Sequence, residues 1–303
     1  MKVAAIGECM IEISGPGEVA RIGFGGDTLN TAIYLARAGA RAAVSVDYLT
    51  ALGDDPFSDE MLAAWQAEGV GIGEVVRRSG RLPGLYLIRT GEGGERSFYY
   101  WRDQAPVREL FDGAEGDKVL RSLASYHWIY LSGITLSVIG SGCQALIERL
   151  GALKLGGLRI AFDSNYRRPG WPDASAARRQ FDRLLPLVDI ALPTLDDEQA
   201  LHGDADATAC AARLRAAGAG EVVVKMGADG CLVAGESGTN LVPVPAAVAP
   251  VDTTGAGDSF NAAYLAARLA GQAPASAAEA GHRLAARVIG RYGAIIPMED
   301  MDD

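Results

Sequence analysis

Val251-Asp-Thr-Thr-Gly-Ala-Gly-Asp-Ser-Phe260 decides the reading of this chain. Gly255, Ala256 and Gly257 run into Asp258, and an apolar helical spacing begins at once with Phe260, Ala263, Tyr264 and Ala267. A flexible turn that opens a helix leaves several backbone N–H groups unpaired at the positive end of the helix dipole. Such a place suits an anionic phosphate. Asp258 adds a carboxylate at the same spot, which makes chemical sense if it takes the proton of a hydroxyl attacking a phosphoryl group. A plain helix cap after a glycine turn uses the same residue types. The four residues by themselves leave both readings open.

Working outward, the 303 residues allow one large α/β domain or two small ones, and 49% hydrophobic content supports a sizeable core. A net charge of -10 argues against a nucleic-acid or anionic-membrane surface, because either needs clustered cations. Cys9, Cys143, Cys210 and Cys231 are scattered with no C-x-x-C pair, so they are expected to be reduced thiols of a cytoplasmic protein. No run of eighteen apolar residues occurs.

Val3–Ile6 reads as a buried strand, and the Gly7 that follows does not open the G-x-G-x-x-G of a dinucleotide fold. Gly25-Gly-Asp-Thr-Leu-Asn30 then precedes a helix expected to reach Ala38, with Asp27 as its N-cap and Gly39 as its C-cap. Gly25 and Gly26 would let a polyol approach the backbone, while Asp27 and Asn30 would bond its hydroxyls. A strand is expected over 43–52 and a helix from Pro56. Residues 84–102 read as a β-hairpin turning at 91–95, with Tyr86, Ile88 and Thr90 on one face and Phe98, Tyr100 and Arg102 on another. From about residue 115 strands alternate with helices, at 128–132, 158–163, 188–192, 221–226 and 230–234, the repeat of a doubly wound parallel sheet. Ligands bind such sheets at the carboxyl ends of the strands. There the chain carries Asp163 to Arg167, Thr194 to Glu198 and Lys225 to Gly230. The expectation is a single domain over 1–303 with a small discontinuous β lid from about 11–24 and 82–104.

The two glycine motifs, Gly25 to Asn30 and Asp252 to Asp258, resemble in order and separation the paired motifs of the ribokinase-like (pfkB-type) carbohydrate kinases. Ile6 to Glu12, Phe24 to Asn30, Arg81 to Tyr86, Gly94 to Arg102, Leu131 to Ile134 and Gly293 to Pro297 are similar to the branch that phosphorylates 2-keto-3-deoxygluconate at its 6-hydroxyl. The resemblance implies a three-layer α/β sandwich with a central, mostly parallel sheet of roughly nine strands and a β lid through which such enzymes pair. It implies ATP and Mg2+, with a monovalent cation in some members, and a sugar-acid acceptor. By position, Asp258 matches the catalytic base and Gly255, Ala256 and Gly257 the anion hole. Asn165, Arg167, Lys225, Gly227 and Gly230 match nucleotide-binding positions.

A keto acid, unlike a neutral sugar, brings a carboxylate. Arg102 and Arg167 could hold it by charge-assisted bonds, and Tyr86 and Tyr100 could cover the chain. By resemblance these are the acid-binding positions. Glu12 stands where many members have Asp, and the Asn-x-x-Glu expected near the metal is imperfect. Asp197 and Glu198 are the candidates for a water-mediated Mg2+ contact. The alternatives are a kinase for fructose, ribose or another keto acid, or a non-catalytic sugar-acid sensor.

Overall fold

The computed structural model describes residues 1–301 except 16–19, 91–95, 237 and 246–247. The expected hairpin turn at 91–95 lies outside the described residues. Strand Lys2–Ile6 shows how the sequence builds the centre: Ala4 and Ile6 enter one core, Val3 and Ala5 the other. Side chains alternate along a strand, so a continuous apolar run is buried on both faces.

Repeated across the chain, this gives one large sheet. From edge to edge it runs Gly238–Val242, Cys231–Gly235, Glu221–Lys225, Ile190–Ala191, Arg159–Asp163, Trp128–Ser132, Lys2–Ile6, Ser45–Leu49 and Val70–Gly71. The first two pairings are antiparallel and the others parallel. Helices Asp27–Gly39, Ala256–Leu269 and Pro274–Ile289 cover one face. Helices Gly142–Lys154, Ala174–Leu184 and Ala207–Ala216 cover the other, completing three layers. No helix among the described residues is long and apolar enough to cross a membrane.

The small sheet joins Arg21–Gly25, Met10–Ser14, Leu85–Thr90 and Arg96–Trp101, in that order. Its register changes one expectation. Tyr86 lies opposite Tyr100 and Ile88 opposite Phe98, so the two expected sets share a single face. Residues directly opposite in antiparallel strands project to the same side.

Other boundaries also moved. Gly26, not Asp27, is the N-cap of the first helix, and Asp27 is its first residue. Gly39 is the last residue of that helix, and the chain tightens into the turn Ala40–Ala42. The expected strand 43–52 is two, because the chain leaves the large sheet at Thr50 and Ala51–Gly53 pairs with Val76–Arg78 instead. Pro274–Ile289 escaped the reading because its buried face is largely Ala277, Ala278 and Gly281, which give little apolar contrast.

Candidate active site

Ser132, Asp163 and Lys225 end three parallel strands, and Ser132 and Asp163 are register partners. The helix Ala256–Leu269 opens at the same end of the sheet. Its N-cap, Gly255, has φ +76°, and a β-carbon there would stand 2.6 Å from Ala294 O. Only glycine fits both the left-handed backbone and that approach. Asp252 moulds the loop before it. Its carboxylate accepts Thr254 N–H at 2.9 Å and Thr254 Oγ1 at 2.7 Å, then Gly293 N–H at 2.9 Å. The Ala256 N–H makes a long 3.3 Å bond to Thr253 O, while the first-turn amides of Gly257 and Asp258 have no acceptor inside the helix.

The two glycine motifs meet here. Asn30 Nδ2 donates to Asp258 Oδ2 at 2.8 Å, and Thr31 Oγ1 donates to Asp258 O at 3.3 Å. Asp27, beside Asn30, accepts a 2.7 Å bond from Asn165 Nδ2. Asn165 holds φ +29°, and its N–H bonds Asp163 Oδ1 at 3.1 Å. Asn tolerates such a backbone better than most residues because its short side chain bonds locally. Burial pushes the Asp258 carboxyl up to about 8, with Asp27 and Asp163 adding to the rise; the Asn30 bond and Lys225 oppose it. Burial likewise raises Asp27 above the usual carboxylate range.

Lys225 is placed differently from its expected nucleotide contact. Its ammonium is buried beneath the site, 2.9 Å from Asp163 Oδ2 and 2.9 Å from Asn261 Oδ1. Asn261 Nδ2 in turn donates to Asp163 Oδ2 at 2.6 Å and to Tyr130 OH at 3.1 Å, and Thr31 Oγ1 reaches Tyr130 OH at 3.2 Å. A β-carbon on Gly257 would lie 3.6 Å from Lys225 Nζ, so the charge sits just under the helix start. Gly227 and Gly230 form the left-handed turn that follows this strand. The sequence reading missed Asp163, Asn261, Tyr130 and Thr31 as a cluster. One signal was available, since Asn261 lies three residues after Asp258 and so on the same helix face.

On the small sheet, Glu12 accepts Tyr86 OH and, through Oε1, Ser14 Oγ at 2.9 Å. Tyr86 OH would be 2.7 Å from a β-carbon on Gly25, which is why that position has none. Tyr100 lies 6.1 Å from Tyr86 between ring centres, and the Arg102 guanidinium stands 5.7 Å from the Tyr100 ring. Arg102 is paired with the buried carboxylate of Glu8, a partner the sequence did not suggest. Arg167 is more open, its side chain 55% exposed, and donates to Asp197 Oδ1 at 2.7 Å. Both arginines act on Tyr100, opposing the burial that raises its phenol. Ring contact and charge thus link Tyr86, Tyr100, Arg102 and Arg167.

Glu198 corrects an expectation. It is 1% exposed and ion-paired with Arg213 at 2.5 Å, while Asp204 takes the same guanidinium at 2.6 Å. Neighbouring helical residues point about 100° apart, and on Leu195–His202 Glu198 turns into the interior while Asp197 stays partly exposed and meets Arg167. The histidines are structural: His282 packs edge-on to Phe260 at 5.0 Å with Nε2 3.2 Å from Val242 O, and His127 Nδ1 accepts Lys2 N–H at 3.0 Å. Burial holds His202 down to about 4.

A sequence profile of the pfkB family carbohydrate kinases matches residues 1–301. The chain belongs to that family. This pfkB-family kinase is 46% identical to the 2-dehydro-3-deoxygluconokinase of Dickeya dadantii (strain 3937), over 99% of this chain and 98% of the relative. It is 45% identical to that of Escherichia coli (strain K12), with the same coverage of both chains. Its fold superposes on a PfkB protein from Polaromonas sp. JS666 with TM-score 0.82 and 26% identity, over 95% and 96% of the two chains. It likewise superposes on a 2-dehydro-3-deoxygluconokinase from Thermotoga maritima with TM-score 0.82, over 100% and 98% of the chains; at 22% identity that likeness speaks for the fold alone. The expected α/β architecture, with a mostly parallel sheet and a small separate one, is the family's.

Proposed function

We propose that this pfkB-family kinase transfers the γ-phosphate of MgATP to the 6-hydroxyl of 2-dehydro-3-deoxy-D-gluconate, giving the 6-phosphate and ADP. The observation that carries the chemistry is the Asn30–Asp258 bond, which sets a carboxylate of raised pKa at the first turn of a helix. Relatives at 45–46% identity over nearly the whole chain carry the choice of substrate.

In this reading the 6-hydroxyl gives its proton to Asp258 as its oxygen attacks phosphorus. The amides of Gly255, Ala256 and Gly257 take the γ-phosphate oxygens, which as charged acceptors outcompete the long Ala256–Thr253 bond. Mg2+ arrives with the nucleotide and neutralises phosphate charge. Asp197 is the acid available to its water shell; Glu198 is not, being enclosed with Arg213. Asp27, with Gly25 and Gly26 at close backbone approach, binds substrate hydroxyls. Asn165 and Arg167 stand between sugar and nucleotide, and the Gly227–Gly230 turn abuts the nucleotide. A monovalent cation has no part in this reading.

The small sheet serves as the lid of a single kinase domain. One of its faces is apolar: Ile22, Ile13, Leu87 and Tyr99 share one register row, and in the next row Phe24, Ile11 and Leu85 pack toward the core while Trp101 is exposed. Ile22 is 66% exposed and Trp101 60%. We read this face as the contact with a second copy, since exposed apolar patches of this kind mark interfaces. The four cysteines are free and buried, consistent with the reducing cytoplasm where ATP is held.

A coupled ADP-release assay across sugars and sugar acids tests the function. Turnover with 2-dehydro-3-deoxygluconate is expected; turnover with neutral sugars alone overturns the substrate assignment. Arg102→Ala should raise KM for the acid about 10- to 100-fold, the worth of a charged hydrogen bond, and the exposed Arg167→Ala should raise it less. Neutral substrates should show neither change.

The acid limb of kcat/KM should follow Asp258. It must be ionised to act, so activity should rise with pH to a midpoint near 8. Asn30→Ala removes a bond that favours the ionised form and should move the midpoint upward. An unmoved midpoint would assign that limb to another group.

A further inference from the structure

Glu8 and Arg102 form a buried pair that the transfer step does not use. Glu8 is 3% exposed. One of its oxygens meets Arg102, and the other, Oε1, is enclosed without a hydrogen-bond donor. The backbone of Gly84 closes on it, such that a β-carbon there would lie 2.9 Å from Oε1. Arg102 is also half-used, because its Nε has no acceptor. The pair is neutral as it stands. A substrate carboxylate docking on Arg102 would make two acids share one guanidinium, leaving a net negative charge in a poorly hydrated place.

We propose that Glu8 takes up a proton when an acidic substrate binds at Arg102, so that the enclosed charge returns to zero and Arg102 is released to the substrate. The proposal rests on the reading of Arg102 as the carboxylate ligand. The proton comes from a buffer acid, whose own bond to hydrogen breaks as one O–H bond forms on Glu8; no other covalent bond changes.

The groups facing Glu8 support the direction. Besides Arg102 these are Arg108 from the turn Pro106–Glu109, Asp27 from the first helix, Cys9 beside it, Tyr48 from Ser45–Leu49, and Tyr100 from the small sheet. Burial already lifts Glu8 to about 7 against the pull of Arg102 and Arg108. A second anion on Arg102 raises it further, since like charges disfavour ionisation. Glu8 is therefore largely ionised when free at pH 7.5 and protonated when the acid is bound. Affinity for the acid falls as pH rises above the free value. In turnover this trend opposes the titration of Asp258, so binding without nucleotide is the cleaner readout.

The test is calorimetric titration of the wild-type enzyme with 2-dehydro-3-deoxygluconate at pH 7.5, in buffers of different ionisation enthalpy. The expected result is uptake of about half to three-quarters of a proton per site, with Kd rising toward tenfold per pH unit above about 7. A neutral analogue lacking the carboxylate should take up clearly less. Glu8→Gln should abolish the difference and flatten Kd against pH. Buffer-independent heats in the wild type, which need no variant to fold, would overturn the proposal, as would equal uptake by Glu8→Gln. If Arg102→Ala binds the acid as tightly as wild type, the Arg102 reading itself fails. Weak binding by Arg102→Ala alongside buffer-independent wild-type heats removes Glu8 alone.

Discussion

Asp258→Asn is expected to lower kcat on the order of 10^3- to 10^4-fold while MgATP still binds. The amide keeps the shape of the carboxyl and can still accept from Asn30, so the join between the two glycine motifs survives. What disappears is the ability to accept a proton as the hydroxyl attacks. Stability should not fall with it. The folded-state pKa of Asp258 lies near 8, well above 3.8, so the fold favours the protonated acid. That contribution is present at low pH and is lost as pH rises through about 8, where the ionised group becomes a cost. The neutral amide escapes the cost, and Tm at pH 8 should equal or exceed the wild-type value. The measurements are kcat by coupled assay, ATP affinity by calorimetry and Tm by thermal melt. Near-normal turnover would remove Asp258 from the mechanism.

Lys225→Met should have the largest effect on stability. It takes the cation from a buried cluster and leaves the Asp163 carboxylate with only neutral donors, the Asn261 amide and the Asn165 N–H. Removing one member of a buried pair costs about 3–5 kcal/mol, because the remaining charge is enclosed and unpaired. For a chain of this size that corresponds to a fall in Tm on the order of 10 °C. The double variant Lys225→Met, Asp163→Asn removes both charges and should recover much of the loss, giving a strong coupling in a double-mutant cycle. A single variant melting within a degree or two of wild type would instead make Lys225 a surface residue of the nucleotide turn. The pH profile offers a second reading of the same cluster. Lys225 is one of the groups that hold the Asp258 pKa down, so its loss should push the acid limb upward.

The small sheet shows where reading a sequence stops. Alternation in 84–102 was enough to expect two strands, and both formed, as Leu85–Thr90 and Arg96–Trp101. Alternation says which residues share a face within one strand. It does not say how two strands align, and the register alone put Tyr86 and Tyr100 on the same side. Asp197 and Glu198 repeat the lesson on a helix. Both were candidates for the metal, and a rotation of about 100° separates a partly exposed acid that meets Arg167 from one enclosed with Arg213.

The sequence by itself determined the strands that carry apolar runs, the helix that opens just after Gly255, and the two glycine motifs with Asp258 beside one of them. These depend on interactions within three or four residues: periodicity, backbone freedom and capping. The tertiary structure alone decided which charges meet. Asn30 reaches Asp258 across 228 residues, Lys225 reaches Asp163 across 62, and Arg102 meets Glu8 across 94. Crossover connections place strand ends side by side in an order the sequence does not follow, and burial then makes each charge find a partner at that end of the sheet. Local chemistry singled out Asp258; the burial and the neighbouring acids that raise its pKa come from strands and helices far apart in the chain.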